Sequence, residues 1–248
     1  PGQAIKQPVV IPIALGLVGP NGEDLGAEAH GMETGGVFAL ARASDSITFE
    51  NVPVAPIPSI LRGFSAPVRL SLDLDDAALL TLVRHDGDAF NRWQAAQSVA
   101  TRLMTRDRGP EDTRAADALA EALDGFLADE ACSDPAFAAL MLTLPPESEI
   151  AQEIGADVDP DTIHQARQAL KTHIAARLAP RLEALRGDLE APGSYSPDAA
   201  SAGRRALRNI ALDLLATASV DASQTSRTDG LIAVQYDAAD NMTDSLAA

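Results

Sequence analysis

Along residues 9–74 apolar side chains alternate with polar ones or gather in short β-branched runs, whereas from residue 75 onward they recur every three or four positions. The first pattern predicts strands over residues 9–18, 36–42, 46–52 and 64–74. The last of these sets Val68, Leu70, Leu72 and Leu74 against Arg69, Ser71 and Asp73, the signature of a strand with one wet face. Gly19-Pro20-Asn21-Gly22 closes the first run and predicts a tight hairpin turn. Pro53, Pro56 and Pro58 cannot donate to a ladder, so residues 53–58 are expected to be an extended crossover between sheets. A small antiparallel sandwich accounts for these elements.

The change of period at Asp75-Asp76 predicts a boundary, with a β domain over residues 1–74 and a helical domain over residues 75–248. Helices are expected over residues 77–84, 86–106, 111–127, 135–143, 148–155, 160–185, 197–218 and 221–237. Asp86 or Asp88 is expected to cap the second, which presents Phe90, Trp93, Ala96, Gln97, Ala100 and Leu103 at helical spacing; Ser196 is expected to cap the seventh ahead of Pro197. Short connections make neighbours antiparallel, and no fixed interval recurs. The predicted architecture is therefore an irregular α-solenoid of helix pairs. Residues 240–248 begin a further helix of about two turns, too short to stand alone and expected to have a following partner.

Charge narrows the function classes. The 248 residues hold 36 acidic and 19 basic side chains, a formal charge of −17, and residues 1–74 contribute only 7 acidic and 4 basic of them. Such a surface repels phosphate backbones and anionic headgroups, and no run of Lys or Arg offers an exception, so nucleic acid and membrane are not expected partners. No window approaches 18 consecutive apolar residues. Cys132 is the only cysteine, which excludes an intramolecular disulfide and fits a reducing, cytoplasmic setting. The chain opens Pro1-Gly2-Gln3, without a start methionine or a signal peptide, and reads as a piece of a longer polypeptide.

Catalysis requires convergent groups, and the sequence offers few. A protease zinc needs two His at i, i+4 and a third ligand, but of His30, His85, His164 and His173 the nearest pair lies nine residues apart and half a helical turn out of phase. Ser194 and Ser196 lie in no G-x-S-x-G elbow; Gly16, Gly19, Gly22, Gly35 and Gly36 flank strands as turn residues do. Asp157, Asp159 and Asp161 lack the glycine and terminal glutamate of a calcium loop and read as a charged helix start. No catalytic, cofactor-binding or metal-ligating residue is assigned. Two polar features remain. Arg204, Arg205, Arg208 and Asn209 form a basic spot suited to internal salt bridges or to docking a partner, and Trp93 is expected to serve core packing.

Several strings carry a family resemblance. Lys6-Gln7-Pro8 leads into Ile11-Pro12-Ile13, and Phe64-Ser65-Ala66-Pro67-Val68 precedes Arg84-His85 and Phe90-Asn91-Arg92-Trp93-Gln94-Ala95-Ala96-Gln97. Leu142-Thr143-Leu144-Pro145, Arg205-Ala206-Leu207-Arg208-Asn209 and Asn241-Met242-Thr243-Asp244 follow in order. Together, over roughly residues 6–248, they resemble the bacterial aminopeptidase N family of zinc metallopeptidases. The resemblance implies an Ig-like β domain, its first strand missing, and part of a helical C-terminal domain, with the catalytic domain outside this chain. It implies a zinc-dependent parent that releases N-terminal residues from peptides, the β domain serving as a spacer and the helical domain enclosing the substrate chamber. The family's HExxH and G-x-M-E-N motifs do not occur here; Gly31-Met32-Glu33-Thr34 is an echo lacking the Asn, and no site residue carries over. The expectations are an inactive fragment without its own cofactor, zinc in the parent, the catalytic domain and peptides as partners, and self-association through an exposed sheet edge or through helix-end contacts. The alternative is a free-standing interaction scaffold built from the same two modules.

Overall fold

The computed structural model describes residues 9–26, 28–30, 36–106, 110–131, 133–189, 195–218 and 222–248. The expectations for Cys132, for residues 31–34 and for Ser194 lie outside these. Five strands, β1 (Ile11–Val18), β2 (Glu28–His30), β3 (Val37–Leu40), β4 (Thr48–Glu50) and β5 (Ile57–Ile60), precede nine helices among the described residues. The helices are α1 (Asp76–His85), α2 (Ala89–Thr105), α3 (Pro110–Glu130), α4 (Pro135–Leu142), α5 (Glu147–Ile154), α6 (Pro160–Asp188), α7 (Ala199–Ala218), α8 (Ala222–Ala238) and α9 (Met242–Ala247). This is a small antiparallel β fold followed by an all-helical region, as the change of period predicts. Two compact units, Pro1–Ala95 and Ala96–Ala248, divide the chain within α2.

In the first unit β1 is the central strand of a three-stranded antiparallel sheet of order β3-β1-β5, and β2 pairs with β4 separately. The register sets Ile11 opposite Leu40 on one side of β1 and Leu15 opposite Ile60 on the other. The turn after β1 is closed by Gly22 N donating to Gly19 O at 2.9 Å. Two expectations fail here. Residues 57–60 are a strand rather than a crossover, because β5 is an edge strand and can carry Pro58, opposite Leu17, at little cost to the ladder. Residues 65–75 form no strand: the alternation survives in exposure, with Leu70, Leu72 and Leu74 half-buried and Arg69, Ser71 and Asp73 exposed, but without a ladder. Alternation fixes the direction of side chains and cannot supply a neighbouring strand.

Between β5 and this segment the backbone is left-handed at Leu61 (φ 65°), Gly63 (φ 63°) and Phe64 (φ 52°), with a 3₁₀ turn over Arg62–Phe64. Such conformations persist only when their surroundings hold them. Leu61 is buried, Gly63 N donates to Asp88 Oδ2 at 2.6 Å, and Arg62 donates to Ser59 Oγ, Asp24 and Asp86. Asp75 caps α1 by accepting from Ala78 N at 2.8 Å, and Asp88, of the two candidates, caps α2 by accepting from Asn91 N at 2.9 Å.

The inward face of α2 differs from the expected one. Asn91, Arg92, Ala95, Ala96, Val99 and Ala100 are buried, while Phe90, Trp93 and Leu103 are half-buried. Polar side chains turn inward because they satisfy backbone: Asn91 Nδ2 donates to Ser59 Oγ and Ile60 O, and Arg92 donates to the carbonyls of Val83 and Arg84 at the end of α1. Trp93 instead joins an aromatic row, with Phe90 between it and Phe64 at centroid distances of 5.9 and 5.2 Å.

In the second unit α6 and α7 form the central antiparallel pair, flanked by α3, α4, α5, α8 and α9. Leu178 and Leu182 of α6, Leu207, Leu212 and Leu214 of α7, Leu119 and Phe126 of α3 and Ile150 of α5 are among its large, fully buried side chains. Gly203 lets α7 approach α4 closely, since a Cβ there would lie 3.1 Å from Ala136 N. Asp134 caps α4 and Asp159 caps α6, each followed by proline at the first helical position. The cap of α7 is Asp198, which accepts from Ser201 N at 2.9 Å, and not Ser196. Pro197 lies before the helix proper, so the cap falls one residue beyond it; Ser196 Oγ donates to Asp198 Oδ2 at 2.6 Å and holds that carboxyl well below its ordinary pKa.

Candidate functional site

The basic spot on α7 is the most developed polar feature of the second unit. Helical spacing stacks Arg204 over Arg208 and Arg205 over Asn209, one turn apart. Opposite them stands α9. Its first turn is fixed by Asn241, whose Oδ1 accepts from Asp244 N at 3.0 Å, and this cap aims Asp244 at α7. Asp244 is 4 % exposed. Its carboxylate accepts from Arg208 Nη2 at 2.7 Å, Asn209 Nδ2 at 3.0 Å and Asn241 Nδ2 at 3.0 Å. A buried carboxylate with three donors, one of them a guanidinium, is a stable arrangement because the charge is both paired and hydrogen-bonded.

The network extends to two more helices. Gln235 of α8 donates to Asn209 Oδ1 at 2.9 Å and accepts from Arg186 of α6 at 3.1 Å, while Arg186 also donates to Arg208 O at 3.0 Å. One connected chain of polar groups thus ties α6, α7, α8 and α9. The segment before α7 completes the rim: Arg205 donates to Ser196 O at 2.8 Å and lies 4.8 Å above the Tyr195 ring, and Asp240 accepts from Tyr195 N at 2.7 Å. The side chain of Asn241, then the Tyr195 amide, hold the Asp240 carboxyl below its ordinary pKa, with the charge of Arg205 adding to them. These groups enclose a cleft of about 560 Å³ whose opposite wall is apolar, made by Leu189, Leu231, Val234 and Ala238.

The arrangement can bind and can hold helices together, and the hydroxyl of Ser196 at its rim is committed to Asp198 at the cap of α7. The remaining candidates from the sequence are scattered. His164 Nδ1 lies 2.8 Å from Glu147 of α5 and His173 Nε2 lies 3.0 Å from Asp117 of α3, so the two histidines of α6 belong to separate pairs. Asp159 is committed to capping, with Asp161 N and Thr162 Oγ1 as donors. Zinc needs at least three convergent protein ligands, and among the described residues no group of three His, Cys, Asp or Glu could hold a metal ion. The described residues therefore do not fit a zinc centre.

The arginines stand out in the sequence, but their partners do not. Asp244 lies 36 positions from Arg208, Asp240 lies 35 from Arg205, and Gln235 lies 26 from Asn209, all beyond the reach of local pattern. One signal is present: Asn241 three positions before Asp244, at the head of a helix, is a capping pattern that directs the acidic side chain back toward the preceding helices.

Residues 1–73 match a family described as a domain of unknown function (DUF3458) with an Ig-like fold, and residues 76–248 match its companion (DUF3458_C), described as ARM repeats. Aminopeptidase N of Caulobacter vibrioides is 40% identical over 223 residues, covering 90% of this chain and 25% of that protein. Aminopeptidase N of Escherichia coli is 35% identical over 252 residues, covering 100% of this chain and 28% of that protein. This chain thus spans about a quarter of the length of the curated relatives it matches. A crystal structure of Legionella pneumophila aminopeptidase A in complex with aspartic acid superposes over 96% of this chain and 27% of its own with a TM-score of 0.75, at 23% identity, and so shares the fold. The chain belongs to the ARM-repeat DUF3458_C family, here joined to the Ig-like DUF3458 domain, and its homologues of this region are aminopeptidases N.

Proposed function

We propose that this chain is the non-catalytic Ig-like and helical part of a zinc-dependent aminopeptidase that releases N-terminal amino acids from peptides. The observation that carries this reading is the combination of 35–40% identity over 90–100% of the chain with coverage of only 25–28% of each relative. The zinc ligands and the general base would be supplied by the remaining part of the polypeptide. The β part, taken as residues 1–74, would act as a spacer, and the helical part, residues 75–248, would enclose the space in which peptides are held, restricting access rather than breaking bonds. Its partners would be the catalytic part and peptide substrates. A cytoplasmic setting is supported by the single cysteine, and no helix among the described residues is long and apolar enough to cross a membrane.

The test uses the purified 248-residue chain and the full-length product of the same coding region, each assayed for zinc content and for hydrolysis of an alanyl anilide. The expected result is zinc and activity in the full-length protein alone. A coding region with no metallopeptidase segment adjoining this one would instead favour a free-standing scaffold.

A further inference from the structure

From the cleft of the second unit we infer a binding site for a small organic monocarboxylate with an apolar body, held between Arg204 and Arg205 and the wall formed by Leu231 and Val234. The first observation is a surplus of donors. Four arginines, Arg186, Arg204, Arg205 and Arg208, line the cleft against two carboxylates, Asp240 and Asp244, in a chain whose formal charge is −17. Both carboxylates are already supplied: Asp244 accepts from three side chains and Asp240 from Tyr195 N and Asn241 Nδ2. Arg204 is not. Of the five N–H donors a guanidinium carries, one is used among the described residues, on Ser201 Oγ at 3.1 Å. Arg208 Nε is likewise buried without a hydrogen-bond partner among the described residues.

The second observation is preorganisation. Stacking on Tyr195 and the bond to Ser196 O fix Arg205, and the half-buried Arg204 needs little reordering to meet an anion beside it. The third is shape. A cleft of about 560 Å³ falls in the size range of small-molecule sites, roughly 300–1,000 Å³, and its lining, more polar than is usual for such sites, sets charged groups beside the apolar side chains of Leu231 and Val234. The charge of the ligand follows from the lining. Two aspartates at close quarters oppose a dianion such as phosphate more strongly than a monoanion, and the leucine and valine wall rewards a carbon body that inorganic anions lack.

N-acetyl-L-leucine is the probe, titrated into the full 248-residue chain and followed by calorimetry and by amide chemical shifts. Saturable binding is expected, with shifts centred on Tyr195, Arg204 and Asp240 and an affinity that falls as salt is raised. The neutral N-acetyl-leucinamide should bind about tenfold more weakly, the loss expected when one charge-assisted contact is removed. Arg204→Gln should weaken the acid by about the same factor and Arg204→Lys by less, with Arg177→Gln on α6 as an unaffected control. The amide comparison uses the unaltered chain, so the site remains testable even if a variant fails to fold. Absence of binding, equal affinity for acid and amide, an unchanged affinity in a folded Arg204→Gln, or tighter binding of inorganic phosphate would each overturn the assignment.

Discussion

Asn209 Nδ2 and Asp244 Oδ1 meet at 3.0 Å across 35 positions of sequence, and this bond, together with Arg208 on the other carboxylate oxygen, fastens the six-residue α9 to α7. A helix of that length has no stability of its own. Replacing Asp244 by Ala removes the shared acceptor of three donors and leaves Arg208 and Asn209 without their partner. The expected cost is about 2–4 kcal/mol in denaturant unfolding, with amide protons of α9 exchanging first. Asp244→Asn keeps the hydrogen-bonding shape and should cost less.

A second buried charge allows a sharper test. Asp86 has a fully buried side chain whose Oδ1 faces Arg62 Nη2 at 3.3 Å, while Oδ2 has no hydrogen-bond partner among the described residues. Arg62→Ala would leave that carboxylate buried without its counter-charge, and about 3 kcal/mol of destabilisation is expected. Asp86→Asn in the Arg62→Ala background should recover part of the loss, so the two changes will be non-additive in a double-mutant cycle.

Two helical glycines separate intrinsic preference from packing. At Gly230 of α8 a Cβ would meet nothing within 4 Å, and Gly230→Ala should raise stability by about 0.5–1 kcal/mol. At Gly203 the same methyl would press on the backbone of Ala136 at 3.1 Å. Gly203→Ala is therefore expected to gain nothing or to lose stability. Paired melting curves of the two variants check both.

The acid limb of stability should carry the mark of Asp24. Its hydrogen bonds to Arg62, opposed by desolvation, bring its pKa below the ordinary 3.8. The unfolded chain then binds the proton more readily than the folded one. The contribution is therefore present above about pH 4 and is lost as pH falls through the lower folded value. Asp24 is more than half exposed, so the effect is modest. Asp24→Asn should flatten the dependence of unfolding free energy on pH below about 4 and leave it unchanged near neutrality.

Helices are far more legible than strands in this chain, for a physical reason. Asp75, Asp134-Pro135, Asp159-Pro160 and Asn241 announce helix starts through contacts made within four residues, and the structure places helices where those signals stand. Strand assignment depends on a remote edge. Pro58 reads as incompatible with a ladder and is accepted because β5 borders the sheet; residues 68–74 alternate well and form no strand. The position of Pro197 points to Ser196 as a cap, yet Asp198 is the better acceptor for Ser201 N. For the candidate site, the arginines of α7 stand out against an acidic background, whereas Asp240, Asp244 and Gln235 acquire meaning only once α8 and α9 fold back on α7.

The central claim, that this chain is the non-catalytic part of a zinc aminopeptidase, is tested most directly by the release of nitroaniline from alanyl nitroanilide by the purified 248-residue chain supplied with zinc. The account predicts no release above the buffer rate, alongside chelator-sensitive hydrolysis by the full-length product of the same coding region. Chelator-sensitive release by the 248-residue chain alone would contradict it.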